Sequence, residues 1–238
     1  MTTFTLFRYS GLQKAWAFSQ MAFAPPLLKK TQGLEFFKML GTGRGTGFSI
    51  RPDFSRYGLL GVWESERAAD EFFKSSPLFN KFLQHSDEYW TVKLQPYQAH
   101  GKWDGVAPFK TDKNILLKTP VAVLTRATIR PQRLRRFWRI VPETSAELDA
   151  ARGRIASIGI GEAPFFRQAT LSFWHDEESI KTFAYRSAKH REVVRLTREE
   201  AWYSEELFAR FAVVDSEGTW GGVNPLEGFK KLPDKNDE

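Results

Sequence analysis

ATLSFWHDEESIKTF, residues 169–183, reads as a short strand that runs into a helix. Apolar and small residues fill 169–174, Trp174 closes the strand, acidic residues follow, and Ile180 and Phe183 then stand three apart, as on one helical face. GLLGVWESERAADEF, residues 58–72, has the same plan. Trp174 and Trp63 differ by 174 − 63 = 111, and Phe183 and Phe72 differ by the same number. Working outward, VAVLTRATI (121–129) is a strand like FTLFRY (4–9), with Arg126 placed like Arg8. Ser157-Ile-Gly-Ile-Gly161 answers the glycine run Gly41 to Gly47. Gly218-Thr-Trp220-Gly-Gly222 answers Gly101-Lys-Trp103-Asp-Gly105, at an offset of 117. Each match is loose alone; in one order across both halves they indicate a duplicated chain.

The remaining segments fill in each half. Leu12 to Phe23 reads as a helix halted by Pro25 and Pro26, and Leu27 to Leu40 as a second helix with Leu34, Phe37 and Leu40 on one side. Ser65 caps a helix carrying Ala68, Ala69, Phe72 and Phe73, Pro77 breaks it, and Leu78 to Leu83 resumes it. Gln132 to Val141 is the matching helix of the second half. Tyr89 to Leu94 and Leu207 to Val214 are closing strands. The reading is α+β: two tandem ferredoxin-like repeats, each β-α-β-β-α-β, whose antiparallel sheets pack face to face as a dimeric α/β-barrel. The expected boundaries are 1–115 and 116–222, followed by a polar tail at 223–238.

Composition removes several kinds of chemistry. The 238 residues include no Cys, so disulfides, thiolate catalysis, zinc–thiolate sites, iron–sulfur clusters and a thiolate-ligated haem are excluded. Aromatic residues are abundant, with 21 Phe, 8 Trp and 6 Tyr, which suits a ring-rich core or a pocket for a flat apolar ligand. The amino terminus shows no secretory pattern and the stretch from Ala15 to Leu28 is too short and too interrupted to span a membrane, so a cytoplasmic protein is expected. A formal charge of +7 favours acidic partners or anionic lipid, and leaves peripheral membrane association open. The run Gly41 to Gly47 is not a phosphate loop: it follows a helix, enters a strand, and lacks the Gly-Lys-Ser/Thr ending. Arginines 126, 130, 133, 135, 136 and 139 alternate with Phe137 and Trp138, but the rings fall on the inward stripe. That pattern is a solvated helix face, with an acidic redox protein or anionic lipid as the next choice and no nucleic-acid partner expected.

The stretch with the clearest chemical content is ESIKTFAYRSAKHREVVRLTREEAWYSEELFARF, residues 178–211. At 100° per residue Ile180, Phe183, Ser187, His190, Val194 and Ala201 share one side of a helix, with Arg186, Arg191, Arg195 and Arg198 along it. An imidazole on an apolar face with guanidinium groups nearby suits an axial haem ligand and its propionates. The commoner explanation of such a residue is a core His that donates to a carbonyl of the facing sheet. Of the other histidines, His175 is expected at the surface beside Asp176, Glu177 and Glu178, His85 at a helix end, and His100 in a loop. Neither an HExxH pair nor a G-x-S-x-G elbow occurs, and no paired carboxylates stand out, so catalytic residues other than a ligand stay unassigned.

Residues 36–65 (FFKMLGTGRGTGFSIRPDFSRYGLLGVWES), 121–134 (VAVLTRATIRPQRL), 154–164 (RIASIGIGEAP) and 183–211 together resemble the spheroidene monooxygenase family of carotenoid-modifying proteins, a likeness that covers about Phe4 to Gly222. The resemblance implies a haem b-containing, O2-using monooxygenase that oxidises an acyclic carotenoid or similar long apolar substrate to keto products. It also implies electrons from a ferredoxin-type donor. The wider barrel superfamily includes haem proteins whose proximal His lies on a helix of the C-terminal half. His190, within Tyr185-Arg-Ser-x-x-His190, occupies the matching kind of position. On that reading His190 is the iron ligand, Arg186, Arg191 and Arg195 hold propionates, the glycine turns let backbone approach the pocket, and rings between the sheets line a substrate cavity. The alternative is a non-catalytic barrel that binds haem or a small apolar ligand.

Overall fold

The computed structural model describes residues 1–229, except 46, 48, 113, 116–119, 164 and 187 and the side chains of 141–146 and 185–190. The first half runs β1 (Thr2–Arg8), α1 (Gln13–Phe23), α2 (Pro25–Leu28), β2 (Leu34–Gly43), β3 (Pro52–Trp63), α3 (Glu66–Ser75), α4 (Pro77–His85) and β4 (Glu88–Gly101). The second runs β5 (Val121–Ile129), a 3-10 turn (Pro131–Arg133), α5 (Leu134–Asp149), β6 (Arg154–Ala163), β7 (Arg167–Trp174), α6 (Glu177–Arg186), α7 (Ala188–Glu199) and β8 (Tyr203–Gly218). The α+β class is as expected. All eight strands pair antiparallel, in the order β1-β3-β2-β6-β7-β5-β8-β4, and close into a barrel.

The two closures are unequal. β4 and β8 pair from Trp90–Gly218 to Gly101–Leu207, whereas β2 and β6 share only Gly41–Gly161 and Thr42–Ile160. At this second seam Gly161 is also held close to β7: a Cβ on it would lie 2.6 Å from the Arg167 carbonyl oxygen.

Strand alternation divides the apolar residues between two faces. Phe4, Leu6, Leu60, Val62, Leu124, Leu171, Phe173 and Phe211 point inward and form one buried cluster with Trp90 and Trp103. The helices lie on the outside. In the first half they cover a single cluster that includes Phe7, Tyr9, Tyr57, Leu59, Phe72 and Phe79. In the second half the outer face carries two separate clusters: Ile129, Phe137, Leu196 and Trp202, and Val121, Val123, Trp174 and Ile180.

Several expectations need correction. The space between the sheets is packed core rather than a substrate cavity, because the inward residues of both sheets interdigitate and are almost wholly buried. The stretch Leu27–Leu40 is not a helix: Pro25 opens the four-residue α2, and Leu34–Gly43 is β2. Spacing of Leu34, Phe37 and Leu40 mimicked a helical stripe, yet Leu40 faces the interior while Phe37 and Met39 pack outside, a period of two. The long helix expected after Glu178 is two helices, α6 and α7. Within α7 the inward residues are Val193 and Leu196, whereas Val194 is exposed and Ala201 lies beyond the helix at φ 48°. The helices flank the barrel, so α7 and the His190 backbone lie outside the sheets, not between them. β4 extends through His100, which was expected in a loop. The start of the expected tail is folded: Asn224 accepts from the Trp90 indole at 2.9 Å and Leu226 is buried in the interior cluster. Residues 230–238 lie outside the described residues.

Candidate functional site

Register fixes which residues of the two halves correspond. Leu60 and Leu171 differ by 171 − 60 = 111; Phe4 pairs with Leu60 and Leu124 with Leu171, so β1 and β5 correspond at 124 − 4 = 120. Met39 pairs with Leu59 and Gly159 with Thr170, which gives β2 and β6 the same 120. Arg126 therefore corresponds to Leu6, not to Arg8 as its sequence context suggested.

This correspondence exposes a difference in bulk. On the outer face the first half has Phe7, Phe37, Met39, Tyr57 and Leu59, all packed beneath its helices. The second half has Ala127, Ser157, Gly159, Gln168 and Thr170 at the same places. Large side chains have been replaced by small or polar ones in the middle of a helix-covered sheet, between the two separate apolar clusters. The helices above also correspond. α3 and α6 begin at Glu66 and Glu177, and α4 and α7 at Pro77 and Ala188, each 111 apart. Phe79 and His190 differ by 111 too. In the first half Phe79 is buried, with its ring centroid 6.0 Å from that of Phe7. In the second half His190 takes the place of Phe79 in the helix, and Ala127 that of Phe7 in the strand.

Of the four residues expected to hold a cofactor, the side chains of His190 and Arg186 lie outside the described ones. Arg191 and Arg195 are exposed and line a shallow groove with Ala184, Val194, Arg198 and Glu199; Arg195 pairs with Glu199 at 2.5 Å. The far end of α7 is anchored by Glu200, which accepts from Arg136 Nη2 at 3.0 Å and Nε at 3.2 Å and from the Trp202 indole at 2.8 Å. These bonds hold the Glu200 carboxyl below its ordinary value, the Trp202 bond first and the Arg136 bond next.

The other histidines have local partners. His85 Nδ1 is 2.9 Å from Gln13 Oε1 and its ring lies on Trp16, His100 stacks on Phe208, and exposed His175 is near Phe229. Among the described residues no group of three or more His, Asp or Glu is placed to hold a metal ion.

Two features were not foreseen from sequence. The first is a cleft of about 220 Å³ at the β2–β6 seam, walled by Phe18, Met21, Ile50, Phe54 and Phe165, with Tyr57, Asp53 and Gln168 as polar lining. The Tyr57 hydroxyl is buried and has no hydrogen-bond partner among the described residues. Burial, then the Asp53 charge, raises its pKa. On the same outer face, Gly161 and Gln168 are the next positions along β6 and β7 from Gly159 and Thr170, so the cleft adjoins the low-bulk patch. The second feature is a charge cluster inside one barrel end. Arg126, 1% exposed, lies 3.2 Å from Glu205, 3.5 Å from Glu162 and 3.7 Å from Asp104, with its guanidinium over Trp103. Lys38 bonds both Asp104 and Glu162, and Trp103 donates to Glu162 at 2.7 Å.

No family model matches the sequence. Individual relatives do. Spheroidene monooxygenase of Rhodobacter capsulatus is 34% identical over 229 residues, 95% of this chain and 95% of that protein. The Cereibacter sphaeroides enzyme of the same name is 35% identical over 94% of this chain and 70% of its own length. The chain belongs to the spheroidene monooxygenase family. It is accordingly a monooxygenase. The barrel of this family member is also similar to solved structures at low identity. A crystal structure of aldoxime dehydratase superposes with a TM-score of 0.59 at 12% identity, covering 90% of this chain and 81% of that one. The butyraldoxime complex of the aldoxime dehydratase OxdRE gives 0.58 at 8% identity, covering 91% and 81%. These two likenesses concern the fold alone.

Proposed function

We propose that this monooxygenase oxidises an acyclic carotenoid or a similar long apolar substrate to a hydroxylated or keto product. In this reading it uses haem b and O2, takes electrons from a ferredoxin-type donor, and uses its two tandem ferredoxin-like repeats as a dimeric α/β-barrel. The name of these relatives, spheroidene monooxygenase, supports the substrate class. The observation that carries the haem reading is the loss of bulk beneath α7: Ala127, Ser157, Gly159 and Thr170 replace Phe7, Phe37, Met39 and Leu59, and His190 replaces Phe79. A flat macrocycle needs such a relief in the side-chain layer, and a protein without Cys offers its iron an imidazole. The residues present therefore fit the group.

His190 would hold the haem iron. Arg186, Arg191 and Arg195 would meet the propionates, the last two from the exposed side of α7. The haem supplies oxygen activation when bound. The chain's own residues bind and orient the substrate. Phe18, Met21, Ile50, Phe54 and Phe165 offer an apolar wall, and the cleft they form is too small for a whole carotenoid, so one end enters it. The Tyr57 hydroxyl and the Gln168 amide can each donate a hydrogen bond to an oxygen on that end. Exposed Arg130, Arg135 and Arg139 at the start of α5 offer a basic surface to an acidic electron carrier.

The test is turnover by the haem-loaded chain with ferredoxin, its reductase, NADPH and spheroidene. The expected result is a keto carotenoid that incorporates oxygen from O2. Absence of product from a chain that carries haem and accepts electrons would refute the substrate class.

A further inference from the structure

The first 52 residues hold seven basic side chains and one acidic side chain, Glu35, so they carry a net +6 of the formal +7 of the whole chain. The same segment holds an uncommon share of exposed apolar bulk. Leu12, Phe18, Phe23, Leu27 and Ile50 are each more than half exposed, and so is Phe54 just beyond it. Helix α1 contains one charged residue, Lys14, and its outward side presents Gln13, Ala15, Phe18, Ala22 and Phe23 beside it. Phe18, Ile50 and Phe54 belong to one surface: the Phe18 and Phe54 rings are 6.2 Å apart, and the three together rim the seam cleft, while Leu12, Phe23 and Leu27 are exposed along α1 and α2. Lys14 on α1, Lys29 and Lys30 after Leu28, and Arg44 and Arg51 between β2 and β3 are exposed as well.

We propose that this face, α1–α2 with Arg44, Ile50, Arg51 and Phe54, docks on an anionic lipid bilayer. Scattered exposed apolar residues need no explanation, but large ones converging on one face within a basic rim match the pattern of interfacial membrane binding. The apolar side chains enter the acyl boundary, and the lysines and arginines meet lipid phosphates. An acidic protein partner would satisfy the cations but leave Leu12, Phe23 and Leu27 uncovered, which favours lipid. The mouth of the cleft then opens onto the bilayer, and a lipid-dissolved substrate enters without crossing water; this last step rests on the function proposed above.

The test is co-sedimentation of the full chain with vesicles of phosphatidylcholine alone and of phosphatidylcholine with phosphatidylglycerol, without substrate or electron donor. The chain is expected to sediment with the anionic vesicles, weakly with the neutral ones, and less as salt rises. The double variant Lys29→Glu/Lys30→Glu is expected to bind at least about tenfold more weakly. The charge-neutral Phe23→Ser/Leu27→Ser variant should lose a similar factor, because these residues supply buried apolar area. Arg135→Glu/Arg139→Glu, on α5, should bind like the parent, and circular dichroism checks that each variant is folded. Failure to bind anionic vesicles overturns the proposal, as does parent-like binding by Phe23→Ser/Leu27→Ser or loss confined to the α5 variant. With no substrate in the assay, a negative result here leaves the proposed oxidation standing, and failed oxidation leaves vesicle binding standing.

Discussion

Arg126 puts a permanent cation inside the barrel where the first half of the chain has Leu6. It is balanced locally: Lys38, Arg126 and Arg167 face Asp104, Glu162 and Glu205. Its guanidinium nitrogens sit within ion-pair distance of carboxylates without good hydrogen-bond geometry. Such a cluster adds little net stability relative to an apolar core, but removing one partner leaves a buried charge uncompensated. Arg126→Leu leaves Glu205 without this cation while Lys38 and Arg167 still face Asp104 and Glu162, so it is expected to destabilise the fold by about 1–3 kcal/mol in denaturant titration, and Arg126→Leu/Glu205→Gln by less. A single variant as stable as the parent would contradict this. The role of Arg126 was not legible in the sequence, because matching RY in 8–9 with RA in 126–127 gives an offset two residues short of the one the strand register imposes. A slip of two keeps the face but moves the residue along the barrel, and pattern reading does not detect it. The inward face of α6, in contrast, was legible from periodicity at Ile180 and Phe183, because both pack on the sheet.

Among the elements, strands with a duplicated partner were the easiest to read. The Trp63 and Trp174 strands were found because both halves keep the same length between strand end and helix. β2 was missed because its apolar residues fit both periods, and pairing with β3 decided the matter. The β4–β8 closure depends on two glycines that the repeat had flagged without a reason. Gly101 and Gly218 have φ of 86° and 79°, and a Cβ would lie 2.1 Å from the Glu206 carbonyl oxygen or 2.3 Å from that of Tyr89. Gly101→Ala should cost about 1–3 kcal/mol or more, read from the denaturation midpoint, because both the backbone angle and the contact oppose a side chain. Gly105, also at positive φ but with open space around the Cβ site, should cost less on the same substitution. Equal effects would show that the close approach is unimportant.

For the whole molecule, acid stability depends on the carboxylates that tie loops to the barrel. Burial pushes the Glu88 carboxyl up, but bonds from the Gly222 amide and the Thr219 hydroxyl, with Arg8 nearby, outweigh it and hold the pKa below the ordinary 4.5. Asp104 behaves alike: burial raises it, and Lys38, Arg167 and Arg126 together bring it below 3.8. A carboxyl with a lowered folded pKa stabilises fully above its unfolded value and ceases to as pH falls through the folded one. Stability should therefore hold above about pH 5 and decline below pH 4, and Glu88→Gln should flatten that decline in denaturant midpoints measured against pH. A parent-like acid limb in Glu88→Gln would contradict the role of Glu88.

The two halves share a plan and diverge where function is proposed. One outer face is filled with aromatic bulk, and the other is cleared of it beneath the helix that carries His190. Haemin titration of the purified chain, followed by absorbance, tests this most directly. Three proteins are compared: the parent, His190→Ala, and Ala127→Phe/Thr170→Leu, which gives the second half the side chains of the first. The parent should take up haem with a Soret band, the filled variant should fold at least as stably yet bind none, and His190→Ala should fold and lose the ligated spectrum. Parent-like haem uptake and spectra in both variants would contradict a haem site between α7 and the sheet.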